Sequence, residues 1–221
     1  KERGAVIVDP ANLPSIVVTS SANNFTSWNV CGGLDQAKGR DAHCSIAFKY
    51  GMKRDFDAWL KSLGEQAPVR SLSELRAWNI AHQRAGAIKY GQANLDVSDE
   101  MNLQADRERY EADRRKDIRL SATNGIDAAL KANNLDALFF PGVSSAGIGA
   151  RPGYPSLTVP WAFAPVTGGQ APNAFPAGFE PKPSPFNVTF TGTACSDPKV
   201  IGLAYGFEQA TKKGVAPPLF P

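Results

Sequence analysis

No stretch of this chain approaches the roughly 20 consecutive apolar residues needed to span a bilayer, so no membrane partner is expected. No secretory apolar region follows Lys1-Glu2-Arg3-Gly4 either. Cysteine and histidine are scarce, at three and two residues. The spacing of Cys31, Cys44 and Cys195 fits no zinc pattern, so neither a metal nor a cofactor is expected. His43 beside Cys44 invites a metal or nucleophile reading, but two neighbours with separate jobs is the plainer one. A Cys31–Cys44 disulfide would suit an exported protein. The sequence leaves that pairing open, and the working expectation is a cytoplasmic protein. An excess of one charge is also lacking: 24 Lys and Arg face 21 Asp and Glu, a net charge of +3. The surplus is scattered, with no basic stripe, which argues against a nucleic-acid partner. The densest run, Asp106 to Asp117, mixes both signs and reads as a solvated helix face, with Glu111 and Arg115 spaced as an ion pair.

What is present is an ordinary globular composition, 43% hydrophobic and 20% charged over 221 residues, enough for one large domain or two small ones. Ala5–Val8 and Ser15–Thr19 read as short strands, and a strand so early suggests that the chain enters in mid-fold. Between about Ser45 and Leu63, Phe48, Met52, Phe56, Trp59, Leu60 and Leu63 recur at helical steps until Gly64. Ser71-Leu72-Ser73-Glu74 has the capping-box spacing and opens a helix with Leu75, Trp78 and His82 on one face. A long helix is expected over about Asp99–Asn133, with Gly125 its weak point and Asn133-Asn134 its stop. Leu135–Pro141 reads as a buried strand, Pro141–Gly153 as a Gly/Ser loop and Ser156–Val159 as a further strand. Residues 164–186 form an irregular, Pro- and Gly-rich excursion. Asn187–Thr191 alternates as a strand does, and Ser196-Asp197-Pro198 opens a last helix that ends near Lys212-Lys213. Helices alternating with buried strands give an α/β layer fold.

Several stretches, in one order between residues 48 and 211, resemble the amidase-signature family. Gly153-Tyr154-Pro155-Ser156-Leu157-Thr158-Val159-Pro160 is similar to the family's Gly-Tyr-Pro segment. Phe190-Thr191-Gly192-Thr193-Ala194-Cys195-Ser196-Asp197-Pro198 is similar to its Gly-x-Ala-x-Ser-acid-Pro step. Leu203–Thr211 resembles the family's last helix, and Asp136-Ala137-Leu138 leading to Pro141 resembles the strand before the substrate-side loop. Phe48-Lys49 through Leu60, Pro68–Leu72 and Tyr90-Gly91-Gln92 resemble the peptide-amidase-like branch. The resemblance implies part of an α/β/α fold, a mixed sheet covered by helices.

It also implies a mechanism in which a serine attacks an amide carbonyl. A second serine, on a cis peptide, passes the proton to a neutral lysine, and backbone N–H groups of a glycine-rich turn form the oxyanion hole. Those residue types follow from chemistry. A serine hydroxyl is a weak nucleophile without a base, and lysine is a base only when its pKa is pushed down. Closely placed N–H donors need a turn without side chains. A Gly-Gly-Ser-Ser-Gly-Gly type of loop is absent from residues 1–221, and in the family it precedes the region matched here. The catalytic residues are therefore expected outside this chain, in an N-terminal half that would be its partner. Thr19-Ser20-Ser21 and Ser144-Ser145-Ala146-Gly147 are decoys. His82, with Asp9, Asp35 or Asp41 as carboxylate, makes no triad by spacing alone, and His82 beside Trp78 reads as a packing histidine.

By the same logic this region shapes the pocket. Loops at strand ends carry substrate contacts in α/β folds, which selects Pro141, Ser144, Tyr154 and Trp161 as substrate-binding residues for a small-molecule or peptide amide. The plainer alternative is that Tyr154 and Trp161 are core aromatics. Two rival functions stay open: a transamidosome-type amidase subunit, and a stand-alone non-catalytic binding module of the same fold. A Gly/Ser-rich loop encoded upstream of Lys1 would favour the enzyme, and a start codon there the module. Truncated strands also lead us to expect a homo-oligomer of the isolated chain.

Overall fold

The computed structural model describes residues 4–33, 39–166, 175–176 and 178–215. In chain order its main elements are α1 (Pro14–Val17), β1 (Asn29–Val30), β2 (Cys44–Ser45), α2 (Ala47–Ser62), α3 (Leu72–Ala81), α4 (Ala93–Asp99) and α5 (Arg107–Ile118). A widened helical stretch, Arg119–Ile126, follows. Then come α6 (Asp127–Asn133), β3 (Leu138–Pro141), α7 (Ala146–Ala150), β4 (Ser156–Ala164), β5 (Ser184–Thr191) and α8 (Asp197–Thr211). They form two compact units, one of residues 1–17 with 121–221 and one of residues 18–120.

In the first unit the strands order as β3-β5-β4, antiparallel throughout, with Leu138 opposite Thr191 and Val159 opposite Val188. Among the described strands, parallel pairing is confined to β1 with β2 in the other unit. Side chains on a strand point alternately to the two faces, so the sheet has two different sides. Val159, Val188 and Ala204 of α8 form a buried cluster, with Leu157, Phe190 and Phe207 packed against it. Ser156, Thr158, Thr189 and Thr191 carry the hydroxyls of the alternate positions. β4 runs past Pro160 to Ala164, longer than the sequence suggests, through an irregularity between Pro160 and Ala162. Ala5–Val8 is not a strand. It pairs with no described strand, and Val6 is 87% exposed. Ser15–Thr19 is not a strand either: Pro14 presets the first helical φ, and the Leu13 carbonyl accepts from the N–H groups of Ile16 and Val17.

The helix expected over Asp99–Asn133 is interrupted. Asn102 Oδ1 accepts from the N–H groups of Gln104 and Ala105, and Asp106 Oδ2 accepts from the N–H of Asn102, so side chains replace the helical ladder at 100–106. Gly125, at φ −114° and ψ −105°, breaks the line again, and Asn134 ends α6 in the left-handed conformation. Glu111 pairs with Arg107 rather than Arg115.

The unit of residues 18–120 packs Cys31, Ile46, Tyr50 and Met101 together, flanked by Cys44, Leu103 and Tyr110. The acidic run is not wholly solvated, because Asp113 and Asp117 are buried. Asp113 Oδ2 accepts from the Ile46 N–H, 3.1 Å, at the start of α2, while Asp117 takes the indole N–H of Trp28, 2.9 Å, and the Ser45 hydroxyl, 2.7 Å. Burial drives the Asp113 carboxyl above the ordinary carboxylate range, opposed by the Ile46 N–H and by Arg109. The helix periodicity of α2 is right but its buried side is not the apolar stripe. Phe48 and Trp59 are 46% and 54% exposed, whereas Lys49, Tyr50 and Leu60 face inward.

Candidate functional site

The loop after β3 is held over the hydroxyl face of the sheet by a stack of short bonds. Thr189 Oγ1 donates to the Gly142 carbonyl and accepts from Thr158 Oγ1 at 2.9 Å. One level along, Thr191 Oγ1 donates to Ser145 Oγ at 3.0 Å and lies 3.0 Å from Ser156 Oγ. Ser145 and Thr191 are fully buried, and hydroxyls so placed need such partners. α7 lies close because Gly149 has no side chain: a Cβ there would sit 2.9 Å from Ser156 Oγ.

Pro141 and Ser144 are brought together, Ser144 Oγ donating to the Pro141 carbonyl at 2.9 Å, and both are exposed. Tyr154 closes the loop. Its N–H reaches the Gly149 carbonyl at 3.0 Å, and its hydroxyl donates to Asp127 Oδ2 at 2.7 Å, while Thr193 donates to Asp127 Oδ1 at 2.7 Å. Burial first, and the Asp127 carboxylate second, push the Tyr154 phenol above its ordinary value, against the pull of Thr193. Trp161 belongs elsewhere. Its ring is 5.4 Å from Phe207 of α8, in an aromatic group with Phe139 and Phe190, and it remains 41% exposed. Three of the four sequence-selected residues thus share the loop, and the fourth sits with α8. Sequence reading missed the Ser145–Thr191–Ser156 and Thr158–Thr189 stack. The alternating threonines of β5 were its signal, and alternation alone reads as a solvent face.

The described partners of Ser144 and Ser145 are carbonyl and hydroxyl oxygens, which share a proton but do not remove it as a base does. His82 stacks on Trp78 at 4.0 Å, and its Nδ1 bonds the Trp78 carbonyl at 2.8 Å, so that nitrogen carries the proton and the ring packs as expected. Asp9 is exposed, and Asp35 lies outside the described residues. Asp41 pairs at 2.8 Å with Lys49, whose side chain is 0% exposed and also bonds Glu100. Burial lowers the Lys49 pKa, but the two carboxylates outweigh it and hold the ammonium above its ordinary value. Such a lysine stays charged, unlike the neutral base that the mechanism requires.

Cys31, Asp41 and Cys44 offer ligand atoms within 4.8 Å of one another. The two sulfurs, however, are joined in a disulfide, which takes both thiolates out of metal ligation. Cys195 is an exposed, unpaired thiol.

No protein-family model matches the chain. A protein of Arabidopsis thaliana named as a probable amidase is 26% identical over 212 residues, which is 96% of this chain and 34% of the relative. The crystal structure of native peptide amidase from Stenotrophomonas maltophilia superposes with a TM-score of 0.60 at 34% identity, covering 79% of this chain and 34% of that one. A peptide amidase bound to the competitive inhibitor chymostatin gives a TM-score of 0.61 at 33% identity over 79% and 34%. An amidase family protein from Bacillus anthracis, 24% identical, shares the fold at a TM-score of 0.60. The chain therefore has an α/β amidase fold. It is a relative of the amidases of the amidase-signature kind, on the peptide-amidase side, and it spans about a third of the length of the relatives it matches.

Proposed function

We propose that this chain is the C-terminal portion of an amidase that hydrolyses carboxylic-acid or peptide amides, and that the serine–serine–lysine machinery lies outside residues 1–221. The observation that carries this reading is the similarity to peptide amidase, which covers 79% of this chain but 34% of that enzyme. The chemistry of the hydroxyls agrees. Ser144 and Ser145 are tied into carbonyl and hydroxyl bonds, and the buried Lys49 is held charged.

In this reading the Gly142–Tyr154 loop supplies one wall of the substrate pocket. Ser144 and Pro141 form its exposed lip, and the Tyr154–Asp127–Thr193 bonds hold its far end. Such a wall binds and orients the amide without touching its proton transfers, so it acts on KM more than on kcat. The Cys31–Cys44 disulfide favours an oxidising compartment over the cytoplasm expected from the sequence.

The test uses a protein that joins these residues to a Gly/Ser-rich catalytic loop, with ammonia release from peptide amides as the readout. Tyr154→Ala is expected to raise KM about tenfold or more while kcat changes severalfold at most, roughly 1.4 kcal/mol of lost binding. Unchanged KM in both Tyr154→Ala and Ser144→Ala would remove the loop from the pocket. Failure of the joined protein to release ammonia would remove the amidase reading.

A further inference from the structure

The 31–44 disulfide bounds the segment that carries Asp41 to the buried ammonium of Lys49. Cys31 is almost wholly buried, whereas Cys44 is half-buried. The two cysteines lie thirteen positions apart in sequence. Asp41 sits in the helical turn Gly39–His43 just before Cys44, and its Oδ2 lies 2.8 Å from Lys49 Nζ. Glu100 takes a second bond from the same ammonium. The Arg109 guanidinium clamps this turn, donating to the carbonyls of Asp41 and of Cys44. The other cysteine is fixed by its N–H to the Ser45 carbonyl at 2.9 Å. A covalent bond, a guanidinium clamp and a doubly paired buried cation therefore share one short stretch of chain. A buried ammonium needs its counter-charges in place, because each one lost leaves charge uncompensated in a poorly solvating interior.

We propose that Cys31–Cys44 is a thiol-exchange site coupled to this ion cage, so that a dithiol reductant loosens the Asp41 turn and through it the seat of Lys49. A thiolate of the reductant attacks Sγ of Cys44, the less buried of the two cysteines. The electrons of the S–S bond pass to Cys31 Sγ, which takes up a proton. The reductant's second thiolate then attacks its own sulfur in the mixed disulfide, releasing Cys44 as a thiolate and leaving the reductant as a cyclic disulfide. Once the cross-link is gone, the turn Gly39–His43 is no longer tethered through Cys44 to Cys31. Asp41 then competes between pairing with Lys49 and moving with its turn. The carboxylate of Glu100 stays on α2's ammonium and keeps the unit from collapsing outright.

The experiment is a thermal unfolding series on the whole chain carrying Cys195→Ser, oxidised and after reduction by a dithiol. Reduction is expected to lower the midpoint by at least twice the roughly 5–10 °C that a cross-link of this loop size contributes on its own in a chain of this length. The coupling is read by repeating the pair in an Asp41→Asn/Lys49→Met background. There reduction should lower the midpoint by no more than half as much, because no ion cage remains to be loosened. Equal drops in both backgrounds would overturn the proposal, leaving the disulfide a simple chain restraint. Amide hydrogen exchange on the Cys195→Ser chain does not depend on whether the double variant folds. Reduction should remove protection from residues 44–50, and unchanged protection there would equally overturn it.

Discussion

Lys49 is the largest fully buried side chain among the described residues. With no exposed side-chain surface it loses its hydration, and the carboxylates of Asp41 and Glu100, with the Gly33 carbonyl, replace it. Lys49→Met would leave two carboxylates without their shared cation, and a loss of about 3–5 kcal/mol is expected for breaking a buried pair on one side. Chemical denaturation checks this. The pH dependence has a definite sign. The folded-state pKa lies above the ordinary 10.5, so the contribution is whole below that value and is lost as pH climbs through the folded-state value. The variant should lack this alkaline limb. A variant that keeps both the stability and the limb would show that the cage contributes nothing. In the sequence Lys49 falls within a stripe read by its apolar members. Periodicity marks a helix without saying which side a partner covers, so the buried lysine was not legible.

The turn between β5 and α8 shows what an element boundary demands. At Gly192 a Cβ would stand 2.0 Å from Ser196 Oγ and 2.7 Å from Val200 Cγ2, so the backbone of one element passes against the first turn of the next. Ser196 does not cap α8 with its side chain; its hydroxyl donates back to the Thr193 carbonyl at 2.7 Å and fixes the same turn. Gly192→Val is expected to destabilise by roughly 1–3 kcal/mol, measured as a lower denaturant midpoint at unchanged slope. An unmoved midpoint would mean that the turn gives way without cost. This boundary was legible in the sequence, since a strand, Gly192 and Asp197-Pro198 follow one another within seven residues. The helix break at 100–106 was not. It depends on Asn102 and Asp106 bonding backbone N–H groups, and both residues also occur on ordinary solvated helix faces. The two faces of the β4–β5 sheet stand between these cases. Val188 and Val159 were readable as core, but only the fold shows that the alternate threonines meet the 142–154 loop.

At the scale of the whole molecule, apolar surface stays open in both units. Phe139, Trp161 and Phe163 in one, and Phe48, Trp59 and Trp78 in the other, are all more than 40% exposed. β3 and β4 each have one neighbour among the described strands. Patches and strand edges of this kind favour association. Residues 1–221 in isolation are expected to self-associate as concentration rises, seen by sedimentation, and a monomer throughout would favour a self-sufficient module. No helix of the described residues is long and apolar enough to cross a membrane. The measurement that tests the central claim most directly is amide hydrolysis by residues 1–221 alone, with peptide amides and aryl anilides as substrates. No turnover above the buffer blank is expected, because Ser144 and Ser145 bond carbonyl and hydroxyl oxygens rather than a base. Turnover that disappears in Ser144→Ala or Ser145→Ala would contradict it and move the nucleophile into this chain.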